Sequence, residues 1–264
     1  MSAAPADAEE STEEFTGRTA LVTGGGRNIG RAIALAFARR GASVVVAGRS
    51  EGPLKETVRL IEAGGGTASA VTADVTRPED ARRMVAEAAE RHGGLHIAVN
   101  NAGVVGTPGV PLGDLDDEVW ADVLAVNTTG VWLSMKHEIA RMRADGGGAI
   151  INVGSRIGAH QRLAGMGAYG ASKAAVSTLT RTAAREYIGD GVRINALSPG
   201  ASDTEMSFRP GETVADRAAR VAGSVPIGRV AATDEIAEAA VWLASDRASF
   251  VVGHDLVVDG GATA

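Results

Sequence analysis

Residues 19–30 read TALVTGGGRNIG: a short apolar strand, a glycine-rich turn and the start of a helix. Glycines let a backbone turn sharply and approach a pyrophosphate closely, and a helix N-terminus offers unpaired N–H groups and partial positive charge to an anion. The same residues also suit a tight turn that binds nothing, so the motif takes its meaning from its surroundings. Those surroundings alternate. Apolar runs at 43–47 (SVVVA), 69–73 (SAVTA), 95–99 (LHIAV), 149–153 (AIINV), 192–197 (VRINAL) and 255–258 (DLVV) are separated by helical patterns, as in βαβ units around a parallel sheet. Most of these runs are nearly continuous, as strands covered on both faces are. Residues 30–40 read as a helix ending at Gly41, Pro53 and Pro78 each mark a first helical turn, and Thr233 is the expected N-cap of a helix over 234–244. The longest stretch without clear periodicity, 199–228, is a candidate mobile lid. The expected fold is α/β: a single doubly wound Rossmann-type domain over residues 17–264 with a mostly parallel seven-stranded sheet.

Composition narrows the chemistry. The 264 residues include no cysteine, which excludes a disulfide scaffold, a thiolate nucleophile and iron–sulfur ligation by this chain. No apolar run reaches the ~18 residues of a membrane span. The first fourteen residues, MSAAPADAEESTEE, carry five acids and no base, the opposite of a signal peptide's basic start. A cytoplasmic protein without membrane contact is expected. Setting those five acids aside leaves 27 acids against 26 bases, so no nucleic-acid footprint is present. Residues 1–16 are expected to be a disordered acidic tail. No metal chemistry is expected either, because His160 has no neighbouring ligand set.

The second strand's end indicates which dinucleotide the turn would take. NAD sites place an acid there to bind the ribose 2′-hydroxyl. Here 44–50 reads VVVAGRS: Gly48 stands where the acid would be, and Arg49, with Arg27 of the turn, can clasp a 2′-phosphate. NADP is favoured over NAD.

The chemistry itself is suggested by AYGASK at 168–173, which puts Tyr169 and Lys173 four residues apart on one helix face. With two tyrosines and three lysines in the chain, such a spacing arises by chance in roughly 2% of arrangements. A phenol with an ordinary pKa of ~10 needs about 4 kcal/mol of differential stabilisation to exchange protons near pH 7. A nearby ammonium has the right sign to supply it. Ser155, in INVGSRIG at 151–158, lies just past an apolar strand, where open α/β sheets bind ligands; it also reads as a loop serine capping local backbone. Asn127, in AVNTTG at 125–130, reads equally as a helix asparagine bonded to backbone.

Taken in order, these motifs resemble the short-chain dehydrogenase/reductase family, in particular its 3-oxoacyl-ACP reductase-like members. Thr23-Gly24-x-x-x-Asn28-x-Gly30 resembles the family's TGxxxGxG turn, with Asn28 where glycine is usual. Asparagine tolerates positive φ best among the other residues. The resemblance implies that Gly24, Gly26, Arg27, Asn28, Ile29 and Gly30 cradle the cofactor. Asp74 and Val75 would meet its adenine, Asp74 also reading as a turn or capping residue, and Asn101, Ala102 and Gly103 of NNAG would line the adenosine side. PGASDT at 199–204 matches PGxxxT, so Pro199, Gly200, Ser202 and Thr204 would hold the carboxamide. It further implies Tyr169 as acid/base and Lys173 as its partner and ribose ligand. Ser155 would bond the substrate oxygen, and Asn127 would order a relay water. The Ser155–Tyr169 gap is fourteen residues against the family's thirteen. VDGG at 258–261 matches the family's last strand.

The activity implied is that of an NADPH-dependent carbonyl reductase, or alcohol dehydrogenase in reverse, working as a homotetramer built on helices around 115–143 and 168–187. The alternative is a catalytically inactive dinucleotide-binding regulatory or structural subunit. The loop 104–113, the rim residues Arg156, His160, Gln161, Arg162 and Met166, and the lid's Met206, Phe208 and Arg209 are expected to shape a pocket for a small carbonyl substrate. A 3-oxoacyl thioester, a polyketide intermediate, a sugar and a small cyclic ketone would all suit it.

Overall fold

The computed structural model describes residues 13–209 and 211–264. Seven strands, β1 (Thr19–Thr23), β2 (Ser43–Gly48), β3 (Thr67–Thr72), β4 (Ile97–Asn100), β5 (Gly148–Val153), β6 (Val192–Pro199) and β7 (Asp255–Val258), form one sheet in the order β3-β2-β1-β4-β5-β6-β7. Every pairing is parallel, so the expected mostly parallel sheet is wholly so. The chain leaves β1 toward β3 and returns to the other side of β1 as β4. That reversal opens a crevice beyond the carboxyl ends of β1 and β4.

Strand periodicity divides the core into two layers. Ala20, Val22, Val44, Val46, Ile151 and Val153 face helices α1 (Asn28–Arg39) and α8 (Thr233–Ala244), with Ile33, Phe37, Ile236 and Val241. Leu21, Val45, Ala98 and Ile150 face the other side, against Met84 of α3 (Pro78–His92), Met142 of α5 (Gly130–Asp145) and Val176 of α6 (Gly167–Tyr187). Successive strand residues point to opposite faces, and both faces are covered. The chain also forms α2 (Glu51–Ala63), α4 (Asp117–Leu124) and α7 (Val214–Ala222). No helix of the described residues is long and apolar enough to cross a membrane.

Several expected boundaries move. β3 begins two residues early, at Thr67, because an edge strand with only Val71 buried gives little apolar contrast. Pro53 sits within the first turn of α2, and α8 already includes Thr233; Ala232 is the N-cap, its N–H bonded to Glu235 Oε2 at 2.8 Å. The supposed featureless lid contains α7. Of the expected tail, residues 1–12 lie outside the described residues, whereas 13–16 fold against the domain. Phe15 is buried edge-on against Phe37, at 5.3 Å between ring centres, and its N–H donates to Arg40 O at 2.8 Å.

Candidate active site

The glycine-rich turn adopts the backbone its sequence suggests. Gly24 has φ +66°, and Asn28, at φ +48°, has a positive φ that no other non-glycine among the described residues shares. Asparagine at the glycine position therefore preserves the turn. At Gly30 a Cβ would lie 2.2 Å from Gly24 O, so α1 and the turn meet backbone to backbone. Thr23 and Asn101 brace the arrangement. Thr23 Oγ1 accepts from the N–H groups of Asn101 (3.0 Å) and Ala102 (3.2 Å), while Asn101 Nδ2 donates to Thr23 O (3.1 Å). No side chain caps α1 at its N-cap Arg27, which leaves first-turn N–H groups available to an anion.

Tyr169 stands in the first turn of α6 and Lys173 one turn later, so the helix carries both toward the crevice. Lys173 Nζ lies 5.9 Å from the phenol ring centre and donates to Val153 O at 2.7 Å. Ser155, just past β5, lies close enough to the phenol to act on its ionisation, and its Oγ accepts from Ile157 N–H at 3.1 Å. Asn127 sits in a π-helical turn, Ala125–Thr129, between α4 and α5. It is fully buried: Oδ1 accepts from Val104 N–H (2.8 Å), and Nδ2 donates to Val104 O (2.8 Å) and Ser172 Oγ (3.0 Å). Gly103 lies between it and the lysine, since a Cβ there would be 3.2 Å from Asn127 Oδ1 and 3.4 Å from Lys173 Nζ.

The electrostatics differ from the expectation drawn from charge alone. Burial pushes the Tyr169 phenol up from its ordinary value, and the nearby Ser155 hydroxyl only partly offsets this. Burial also pulls the Lys173 ammonium down to about 8. Desolvation opposes both charged forms, so acidifying the phenol falls to the lysine together with any further positive charge a ligand brings.

These groups open into one cleft of about 600 Å³. Gly24, Arg27, Asn28, Ile29, Gly30, Asn101, Ala102, Gly103, Ser155, Tyr169, Lys173, Pro199, Gly200, Ser202 and Thr204 all line it. Five expected site residues do not. Gly26 packs on Pro53, and Arg49 is exposed beyond the lining. Asp74 accepts from Thr76 N–H and Oγ1 as a turn residue, Val75 is buried beside Gly130, and Asn127 lies behind the wall. Of the named rim and lid residues, Arg156, Met166, Met206, Phe208 and Arg209 line the cleft, joined by Leu163 and Arg220, which the sequence did not single out. His160 does not line it. The unusually close glycines, the uncapped helix N-terminus and the volume of the cleft fit a dinucleotide.

A family model described as Enoyl-(Acyl carrier protein) reductase matches residues 24–263. A cis-4-hydroxycyclohexanecarboxylate dehydrogenase of Sinomonas cyclohexanicum is 43% identical over 253 residues, covering 96% of this chain and 99% of its own. An A-factor type gamma-butyrolactone 1'-reductase (1S-forming) of Streptomyces virginiae is 43% identical over 250 residues, 94% of this chain and 96% of its own. A crystal structure from Beutenbergia cavernae, assigned as an NAD(P)-dependent gluconate 5-dehydrogenase with NADP bound at low occupancy, superposes with a TM-score of 0.87 at 39% identity, covering 94% of this chain and 98% of that one. The chain belongs to the short-chain dehydrogenase/reductase family, oxidoreductases that interconvert secondary alcohols and carbonyl compounds with a nicotinamide dinucleotide.

Proposed function

We propose that this protein is an NADP-dependent ketoreductase in which residues 17–264 act as one cofactor-binding and catalytic domain. The observation that carries the reading is the meeting of Ser155, Tyr169 and Lys173 at one end of a cleft whose other end is the glycine-rich turn. The nicotinamide, when bound, supplies the hydride that forms the new C–H bond. Ser155 holds the substrate oxygen, and Tyr169 O–H donates the proton that completes the alcohol. Lys173 repays the developing phenolate charge, and Asn127 fixes the loop at Val104 behind it. Burial keeps the phenol protonated in the free site, the form a proton donor needs. Gly24, Arg27, Asn28, Ile29 and Gly30 would hold the pyrophosphate, with Pro199, Gly200, Ser202 and Thr204 at the carboxamide.

The preference for NADP is supported by Gly48 at the end of β2, where an acid would repel a 2′-phosphate, and by the exposed guanidinium groups of Arg27 and Arg49. The relatives' substrates, a ring alcohol and a lactone, agree with a small cyclic carbonyl substrate. A cytoplasmic homotetramer is further proposed; the exposed Trp120 on α4 and Trp132 on α5 support association through those helices. Light scattering at micromolar concentration tests it, a tetramer being expected and a monomer excluding it.

The deciding experiment follows NADPH and NADH oxidation with a panel of ketones. Wild type should turn over with NADPH preferred, and Tyr169→Phe should lose about 10²–10⁴-fold in kcat, the span of a general acid's contribution. Dinucleotide binding without turnover of any ketone would instead identify an inactive regulatory subunit.

A further inference from the structure

The charges around the cleft narrow the substrate class, on the carbonyl-reductase reading just given. The chain's formal net charge is −6, yet no Asp or Glu lines the cleft, whereas Arg27, Arg156, Lys173, Arg209 and Arg220 do. Three of these cations are accounted for. Lys173 is held by Val153 O, Arg220 is held by both oxygens of Glu212 at 2.6 and 2.8 Å, and Arg27 belongs to the turn at the cofactor end. Arg156 and Arg209 remain, one beside Ser155 and one on the lid.

Their backbones are fixed. Arg156 N–H donates to Pro199 O (3.1 Å) and its carbonyl accepts from Gln161 N–H (2.8 Å); Arg209 N–H donates to Glu212 Oε2 (2.9 Å). Among the described residues neither guanidinium group has a hydrogen-bond or ion-pair partner. Glu212, whose carboxyl feels the Arg209 charge, is already engaged by Arg220. The neighbouring wall is apolar, with Leu163, Met166 and Phe208. Arg156 is half-buried and Arg209 exposed: a half-buried cation with no partner beside apolar surface is incompletely satisfied, and guanidinium matches carboxylate in charge and in planar two-point geometry. We propose that the substrate is a compact apolar ketone, or the corresponding secondary alcohol, bearing a carboxylate that Arg156 grips and Arg209 covers from the lid.

The test offers cyclic and linear ketones in pairs, free carboxylate against methyl ester, and compares kcat/KM with NADPH. Wild type should prefer the acid by about tenfold or more, as expected for a charge-assisted pair. Arg156→Gln should bring the acid-to-ester ratio close to one, chiefly through KM of the acid, and added salt should erode the wild-type ratio. Equal use of acid and ester by wild type, or loss of both alike in Arg156→Gln, overturns the carboxylate assignment while leaving ketone reduction standing. No turnover of any ketone overturns the carbonyl-reductase reading together with it.

A separate observation concerns Asp255, the buried first residue of β7. Its Oδ1 accepts from Ser198 Oγ at 2.6 Å and its Oδ2 from Ser177 Oγ at 2.7 Å. His160 Nε2 lies 3.0 Å from Oδ2, in contact though out of hydrogen-bond alignment. Ser198 precedes Pro199 and Gly200, Ser177 lies one turn beyond Lys173 on α6, and His160 is on the loop that follows Ser155. One carboxylate therefore touches all three segments that carry the site. The geometry assigns Asp255 as a positioning residue, with His160 fixing the substrate rim and Ser198 the carboxamide strand.

The test separates the two KM values. His160→Ala should raise KM for the ketone about three- to tenfold, the worth of one net polar contact, and His160→Gln should restore it. Ser198→Ala should raise KM for NADPH by a similar factor. Melting curves are recorded beside the kinetics. A lower Tm with both KM values unchanged, or both KM values moving together in each variant, overturns the assignment.

Discussion

Tyr169 is held between two demands. Burial favours the neutral phenol, which suits proton donation to a carbonyl, while alcohol oxidation needs the phenolate that burial opposes. Lys173 decides how far pH moves this balance. With its ammonium pulled down to about 8 by burial, it is charged below that pH and neutral above it. kcat/KM for reduction should therefore be level on the acid side and decline as pH rises through about 8. A pH profile that stays level to pH 10 would detach the ammonium from catalysis. Asn28 offers a conformational counterpart. At φ +48° an alanine meets the left-handed penalty, so Asn28→Ala should cost about 1–2 kcal/mol in denaturant titrations while Asn28→Gly costs nothing. Equal loss in both variants would mean that the side chain, rather than the backbone, stabilises the turn.

Among the elements, the lid is held to its own helix. Thr213 and Asp216 form a capping box at the start of α7. From that helix the buried Arg217 reaches back to Asp203 Oδ1 (2.7 Å), Ser207 Oγ (2.8 Å) and the Phe208 ring, 4.0 Å from its centre. Arg217→Ala removes all three at once. KM for the ketone should rise about three- to tenfold, in line with one partly exposed charge-assisted and one cation–π contact, and amide exchange over 203–209 should quicken. Unchanged exchange would show that Arg217 does not hold the lid. This clamp was invisible in the sequence, because the apolar stripe of α7, Val214, Ala215, Ala218 and Ala222, is exposed, while the face it buries carries Arg217 and Val221. The strands were legible for the opposite reason: buried on both faces, β1, β2 and β5 are almost uninterrupted apolar runs. The turn, Ser155, Tyr169 and Lys173 could be picked out as a group because they lie in short, recognisable motifs, and the structure brings them into one cleft. Asp255 was not, since its serine partners lie 57 and 78 residues away and nothing local marks them.

At the scale of the whole molecule, one buried carboxyl links layers that the site depends on. Glu138 of α5 is fully buried, and its Oε2 accepts from Asn100 Nδ2 at 2.9 Å. Asn100 at the end of β4 also donates to Asn152 Oδ1 of β5 (3.0 Å), and Asn152 continues to Thr180 Oγ1 on α6 (2.9 Å). Glu138 Oε1 and Asn100 Oδ1 have no partner among the described residues. Desolvation pushes the Glu138 carboxyl up to about 8 from an ordinary 4.5. The unfolded chain releases this proton near pH 4.5, whereas the folded chain keeps it to about pH 8, so folding takes up a proton in between. The contribution of Glu138 to stability is then greatest below 4.5 and is lost as pH rises through that window, levelling off above about 8. Glu138→Gln keeps the shape, removes the titration and brings an amide donor near the unpartnered Asn100 Oδ1. Its gain over wild type should be small at pH 5 and grow by about 1 kcal/mol per pH unit toward pH 8. Urea titrations at pH 5, 6.5 and 8 read this directly. A difference between the two proteins that is the same at all three pH values would mean the carboxyl does not titrate between them, and that its cost to the fold comes from packing alone.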